Sequence, residues 1–182
     1  MRNNVLLLVF FLFSFSCMQE NMPKPKAFPK ISFPKKQYNE IQNICPYTFK
    51  IPKYSKIKII EDCFFNILFQ NQNAQLYGTY FALDNDLENH IQYSKSLVYK
   101  QNIRNIPIRE EQYLNYDNSV YGTLYEFQAG SASSVQFFLT DSVDHFIRGS
   151  LYFDVEINDS IMPINNFLKE DIRFMIETFE WK

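Results

Sequence analysis

Glycine is scarce in this chain. Only Gly78, Gly122, Gly130 and Gly149 occur in 182 residues. P-loop and dinucleotide-binding folds need closely spaced glycines so that backbone can approach phosphate, and these four are too far apart for either. Collagen-like and glycine/serine-linker readings fail for the same reason. No Gly-x-Ser-x-Gly elbow is present, which removes the usual hydrolase signature. The longest N-terminal apolar run, Val5 to Phe13, is too short for a membrane span, which needs about 20 residues.

Aromatic residues are abundant. They make up 18% of the chain, with 19 Phe and 12 Tyr, and hydrophobic residues reach 46%. That composition argues against disorder, and the length is that of about one domain. Composition alone therefore describes a globular, strand-rich domain and no activity.

The first residues point to export. Met1-Arg2-Asn3-Asn4 is followed by the apolar run and then by Ser14-Phe15-Ser16-Cys17. A positive start, a short apolar core and small residues before a cut site form a secretory signal. The cysteine placed there makes residues 1–16 read as a bacterial lipoprotein signal peptide. Cys17 is then the lipidated first residue of the mature chain. Each buried methylene of its acyl chains contributes about 0.8 kcal/mol to anchoring. Met18-Gln19-Glu20 carries no acidic surface-export tag. The expected place is the cell envelope, on the periplasmic face of the outer membrane.

Two more cysteines follow, Cys45 and Cys63. Export permits a disulfide between them, and two buried thiols packing as small hydrophobes is the alternative. Cys45, Cys63, His90 and His145 have no recognised metal-ligand spacing, so no metal or other cofactor is expected.

Charge is unevenly placed. Residues 21–60 hold nine lysines against the single acid Glu40, a net of +8. Residues 61–182 hold eight Lys/Arg against eighteen Asp/Glu, a net of −10. The basic stretch lies next to the expected anchor, where it could meet anionic headgroups. Solvated lysines are the plainer reading. An acidic body in an exported protein argues against nucleic acid as a partner.

Residues 17–37 read as a tether. Pro23, Pro25, Pro29 and Pro34 favour an extended, semi-rigid arm, and Phe28 and Phe33 suggest that it docks on the domain. The globular part is expected over 38–182. Tyr47, Phe49 and Ile51 alternate as a strand closed by Pro52. Further strands are expected at 57–60, 63–69, 75–83, 120–128, 135–140 and 146–156, with 106–113 ambiguous. Leu87, Ile91, Ser94 and Val98 share a helical face, and Asn85 with Glu88 reads as a capping box. A second helix follows Pro163, a residue suited to a first helical turn. The expected fold is α+β: one domain with a mainly antiparallel sheet of about seven strands and two main helices packed on one face.

The densest polar run is 140–149. Ser142 and His145 with Asp141 invite a hydrolase reading. Triad members, however, converge from separate elements, and these sit in one turn. A turn capped by Asp141 and Ser142 is the simpler reading, with His145 and Arg148 on the emerging strand pairing with acids. An envelope hydrolase or glycan-binding module using 141–148 stands as the alternative function. Glu110 and Glu111 have no fixed separation, so a glycosidase pair is not supported.

These residues also resemble a known family. Pro25-Lys26-Ala27-Phe28-Pro29-Lys30-Ile31-Ser32-Phe33-Pro34 with Tyr38, Cys45-Pro46-Tyr47-Thr48-Phe49, and Cys63 with Asn66-Ile67 are similar to the gliding motility lipoprotein family GldD of Bacteroidetes. So is the run Gln136-Phe137-Phe138-Leu139-Thr140-Asp141-Ser142 with His145 to Phe153. The ending Glu170-Asp171-Ile172 with Trp181-Lys182 also fits. The resemblance implies an accessory lipoprotein of the gliding machinery tied to type IX secretion, acting by contact with other envelope proteins. It implies no catalytic residue. Gln136, Thr140, Asp141, Ser142, His145 and Arg148 become surface candidates. The early strand ending in proline and the closing helix with Thr178-Phe179 look like a PsbP/Mog1-type sandwich.

Overall fold

The computed structural model describes residues 31–102, 106–127, 131 and 133–182. The expected signal segment, Cys17, the arm as far as Lys30, and Gly130 lie outside the described residues.

The centre is a seven-stranded antiparallel sheet. Its strands are β4 (Lys56–Ile59), β5 (Phe65–Phe69), β6 (Ala74–Ala82), β7 (Ile108–Asn115), β8 (Val120–Phe127), β9 (Ser133–Thr140) and β10 (His145–Phe153). They lie in the order β4-β5-β6-β10-β9-β8-β7. Two meanders, β4 to β6 and β7 to β10, are joined where β10 pairs with β6. β4 and β5, β5 and β6, β7 and β8, and β9 and β10 pair through short connections. Asn73, at φ 47°, supplies the left-handed residue between β5 and β6, a conformation Asn tolerates.

Three short strands precede this sheet and one follows it. β1 (Tyr38–Glu40) pairs with β3 (Lys50–Pro52), and β2 (Tyr47–Thr48) pairs with the terminal β11 (Glu180–Trp181). The alternating segment 47–52 therefore stands outside the main sheet, contrary to the simple strand reading. Tyr47, Thr48 and Phe49 are buried in succession and only Lys50 of the segment is exposed, so it does not alternate between a core and a solvent side. The ambiguous segment 106–113 takes the seventh place instead, as the edge strand β7.

The helices are α1 (Leu87–Gln101) and α2 (Met162–Glu177). They pack on opposite faces of the sheet, not on one. Strand alternation shows this along β9. Val135, Phe137 and Leu139 join Leu168, Ile172 and Met175 of α2 in the larger core. Phe138, between them, joins Val98 and Ile91 of α1 in a smaller one. Successive strand side chains point to opposite faces, so a sheet with nearly all of β9 buried needs cover on both. The expected capping box is also absent. Asn85 is left-handed at φ 56°, Asp86 takes the N-cap position, and Glu88 accepts a hydrogen bond from Gln92 at 2.6 Å.

Cys45 and Cys63 are joined in a disulfide with Cα atoms 5.6 Å apart. It ties the β1–β3 segment to the start of β5. Tyr47 adds to this by donating its hydroxyl to the Cys63 carbonyl.

Candidate functional site

The family-like hairpin joins β9 to β10. Asp141 closes its turn: one carboxylate oxygen, Oδ1, accepts the amides of Val143, Asp144 and His145 at 3.0, 3.0 and 2.9 Å. Burial alone would raise the Asp141 carboxyl, but these amides outweigh it and hold the group below the ordinary carboxylate value. Thr140 completes the turn by donating to the His145 carbonyl at 2.6 Å and accepting from the Ser142 amide at 2.9 Å. Ser142 contributes its backbone, at φ 73°. The capping expected of Asp141 and Ser142 is thus done by Asp141 and Thr140.

No Ser142–His145 dyad forms. The His145 Nδ1 pairs with the Tyr80 hydroxyl at 2.8 Å, and the ring stacks on Trp181 with centroids 5.2 Å apart. Arg148 lies on the other face, where it donates to Gln136 Oε1 at 2.5 Å. Neither residue makes the expected ion pair with an acid among the described residues. The six hairpin candidates all fall within residues 136–148 yet are divided in space. His145 faces the α2 side with Tyr80. Gln136 and Arg148 face the α1 side.

Glu110 and Glu111 are split by the same alternation. Glu110 accepts from the Tyr99 hydroxyl of α1. Glu111 accepts two hydrogen bonds from Arg173 of α2, at 3.1 and 2.9 Å. Arg173 also reaches Glu126 at 2.7 Å, so one guanidinium clamps α2 to the β7–β8 edge. The Arg173 hydrogen bond holds the Glu111 carboxyl below its ordinary value of 4.5. A depressed carboxyl contributes stability at neutral pH that is lost as the pH falls through the folded-state value. Arg173→Met should therefore flatten the fall in urea midpoint below about pH 4.5. Parallel curves for variant and wild type would contradict this assignment. His90 is likewise satisfied, with Nε2 3.1 Å from Asp86 and its ring against Phe81 and Phe146.

A second cluster receives the end of the arm at Phe33, the docking that this aromatic suggested, while its polar centre, Asp171, was not expected from the sequence. Asp171 is buried at 1% exposure on the inner face of α2. It accepts the hydroxyls of Tyr38, at 2.8 Å, and Tyr54. Burial, then the hydrogen bond to Asp171, raises the pKa of both tyrosines. Lys36 reaches Asp171 at 3.2 Å, Glu170 at 2.7 Å and the Phe167 carbonyl at 3.0 Å. Its ammonium stands 4.6 Å from the centre of the Phe167 ring, and Phe33 stacks on that ring at 4.4 Å. Beside the strap, Phe33, Pro34, Tyr54, Gln72 and Ile164 line a cavity of about 380 Å³. The available signal was Asp171 itself, an acid within the apolar stripe Leu168, Ile172, Met175.

Fold and clusters together define a disulfide-braced α+β domain in which Phe33, Lys36 and Tyr38 are strapped to the closing helix. Residues 18–181 match the family model of the gliding motility lipoprotein GldD, and the chain belongs to that family. A search of curated proteins finds no match to it.

Proposed function

We propose that this protein is a lipid-anchored accessory component of the gliding machinery, associated with type IX secretion. It acts by binding other envelope proteins, not by catalysis. The family match over nearly the whole chain carries this reading. Two features of the structure support it. Asp141 and His145 are occupied by structural partners, and the carboxylates Glu110 and Glu111 face apart.

The anchor is the lipid on Cys17, and the domain stands at the periplasmic face of the outer membrane. Lipidation would tether the chain to the bilayer. Cys17→Ala should move the protein from the membrane pellet to the soluble fraction. Continued pelleting of that variant would refute the lipid anchor. Loss of the chain should stop surface spreading and type IX secretion together.

A further inference from the structure

Among the described residues, the two faces of the sheet are unequally covered. On the α1 side, the helix packs over β8, β9 and the start of β10. The ladder registers place Lys56, Lys58, Leu68, Tyr77, Arg148 and Tyr152 on the rest of that face. Leu68 and Tyr77 are 40% and 45% exposed. Tyr77 and Tyr152 meet edge to face with centroids 5.9 Å apart.

Arg148 lies at the border between this open strip and α1. Burial lowers its pKa, while Tyr152 and Tyr93 raise it from close by. Among the described residues no carboxylate stands within ion-pair distance of its guanidinium, and Gln136 supplies only a neutral acceptor. Two residues further along β10, the Ser150 hydroxyl is buried and makes no hydrogen bond among the described residues. A guanidinium withdrawn from water without a counter-charge is costly. The strand positions of this face on β4, β5, β6 and β10 include three cations and no acid.

We propose that this strip is a docking surface for an extended, acidic segment of a partner polypeptide. One carboxylate of the segment pairs with Arg148, a second pairs with Lys58, and Tyr77 and Tyr152 pack between them. Strands lie about 4.8 Å apart, so the two cations are separated by roughly 15 Å. A small anion cannot touch both. An extended chain covers that distance in about five residues at about 3.3 Å each.

The inference rests on the reading of the chain as a binding component, and its test separates the two. The full chain in detergent is titrated into fluorescein-labelled decaglutamate and, separately, decalysine, with anisotropy as the readout. Decaglutamate should bind and decalysine should not. Lys58→Glu and Tyr77→Ala, both at exposed positions, should each weaken binding at least tenfold while leaving the melting temperature unchanged. Arg148→Gln should weaken it as much, if that variant keeps the wild-type circular dichroism spectrum. Equal binding of both peptides, or wild-type affinity in Lys58→Glu and Tyr77→Ala, would overturn the proposal. So would binding of phosphatidylglycerol vesicles in place of decaglutamate, with loss of that binding in Lys58→Glu. If the peptide fails to bind while a strain lacking the chain still cannot spread, this surface is wrong and the broader role stands.

Discussion

Asp171→Ala should lower the melting temperature by about 10 °C. The carboxylate is buried and holds Tyr38, Tyr54 and Lys36 at once. Removing one member of a buried, hydrogen-bonded charge pair costs about 3–5 kcal/mol. In a domain of this size each kcal/mol shifts the midpoint by about 2–4 °C. The neighbouring Glu170 also meets Lys36, but its side chain is 70% exposed. Glu170→Ala should therefore change stability by no more than about 0.5 kcal/mol. Asp171→Ala should also free the arm, so that trypsin cuts sooner after Lys35 and Lys36. Equal melting temperatures for the two variants would show that the strap is not held as described.

Gly149→Val should cost more than about 3 kcal/mol, at the upper end for an overpacked core. Gly149 stands directly opposite Gly78 across the β10–β6 ladder. A Cβ at Gly149 would lie 2.2 Å from Phe137 Cζ, and one at Gly78 would lie 2.2 Å from Phe65. Both rings are at least 98% buried, so neither can swing out to make room. The glycine pair lets two phenylalanine rings lie against the sheet, a device that stabilises strand glycines. Phe137→Ala alone should cost about 3–5 kcal/mol. Combined with Gly149→Val it should cost less than the sum, with a coupling of about 1–3 kcal/mol. Strict additivity would mean that the ring and the missing side chain do not share that space.

Much of this fold is legible from periodicity. The late hairpins, both helices and the antiparallel sheet follow from spacing within one chain segment. What spacing does not show is which segments meet. Seven strands were expected and the main sheet has seven, yet 47–52 is outside it and β7 is inside. Burial on both sides of Thr48 depends on the C-terminal strand β11, far away in sequence. The helix faces are a similar case. An apolar stripe shows that a helix packs, and only the burial of both Phe137 and Phe138 shows that two faces need cover.

The polar hairpin has the opposite lesson. Asp141, Ser142, His145 and Arg148 are dense in sequence, and density suggested a site. Strand alternation then sends His145 and Arg148 to opposite faces. The arm cluster is assembled from Phe33, Lys36, Tyr38, Tyr54 and Asp171, which no local pattern links. Its sequence traces are Phe33, an aromatic in the proline-rich arm, and an acid on an apolar helix stripe, where an uncompensated buried charge would be too costly to persist.

The central claim is that this chain serves gliding through binding, without chemistry at the 141–148 turn. Colony spreading of a deletion strain, complemented with Ser142→Gly at wild-type protein level, tests it most directly. Glycine suits the φ of 73° at that position and removes the only hydroxyl a serine mechanism could use there. The account predicts no spreading without the chain and full spreading with the variant. Normal spreading of the deletion strain, or failure of the folded Ser142→Gly protein to restore it, would contradict the account.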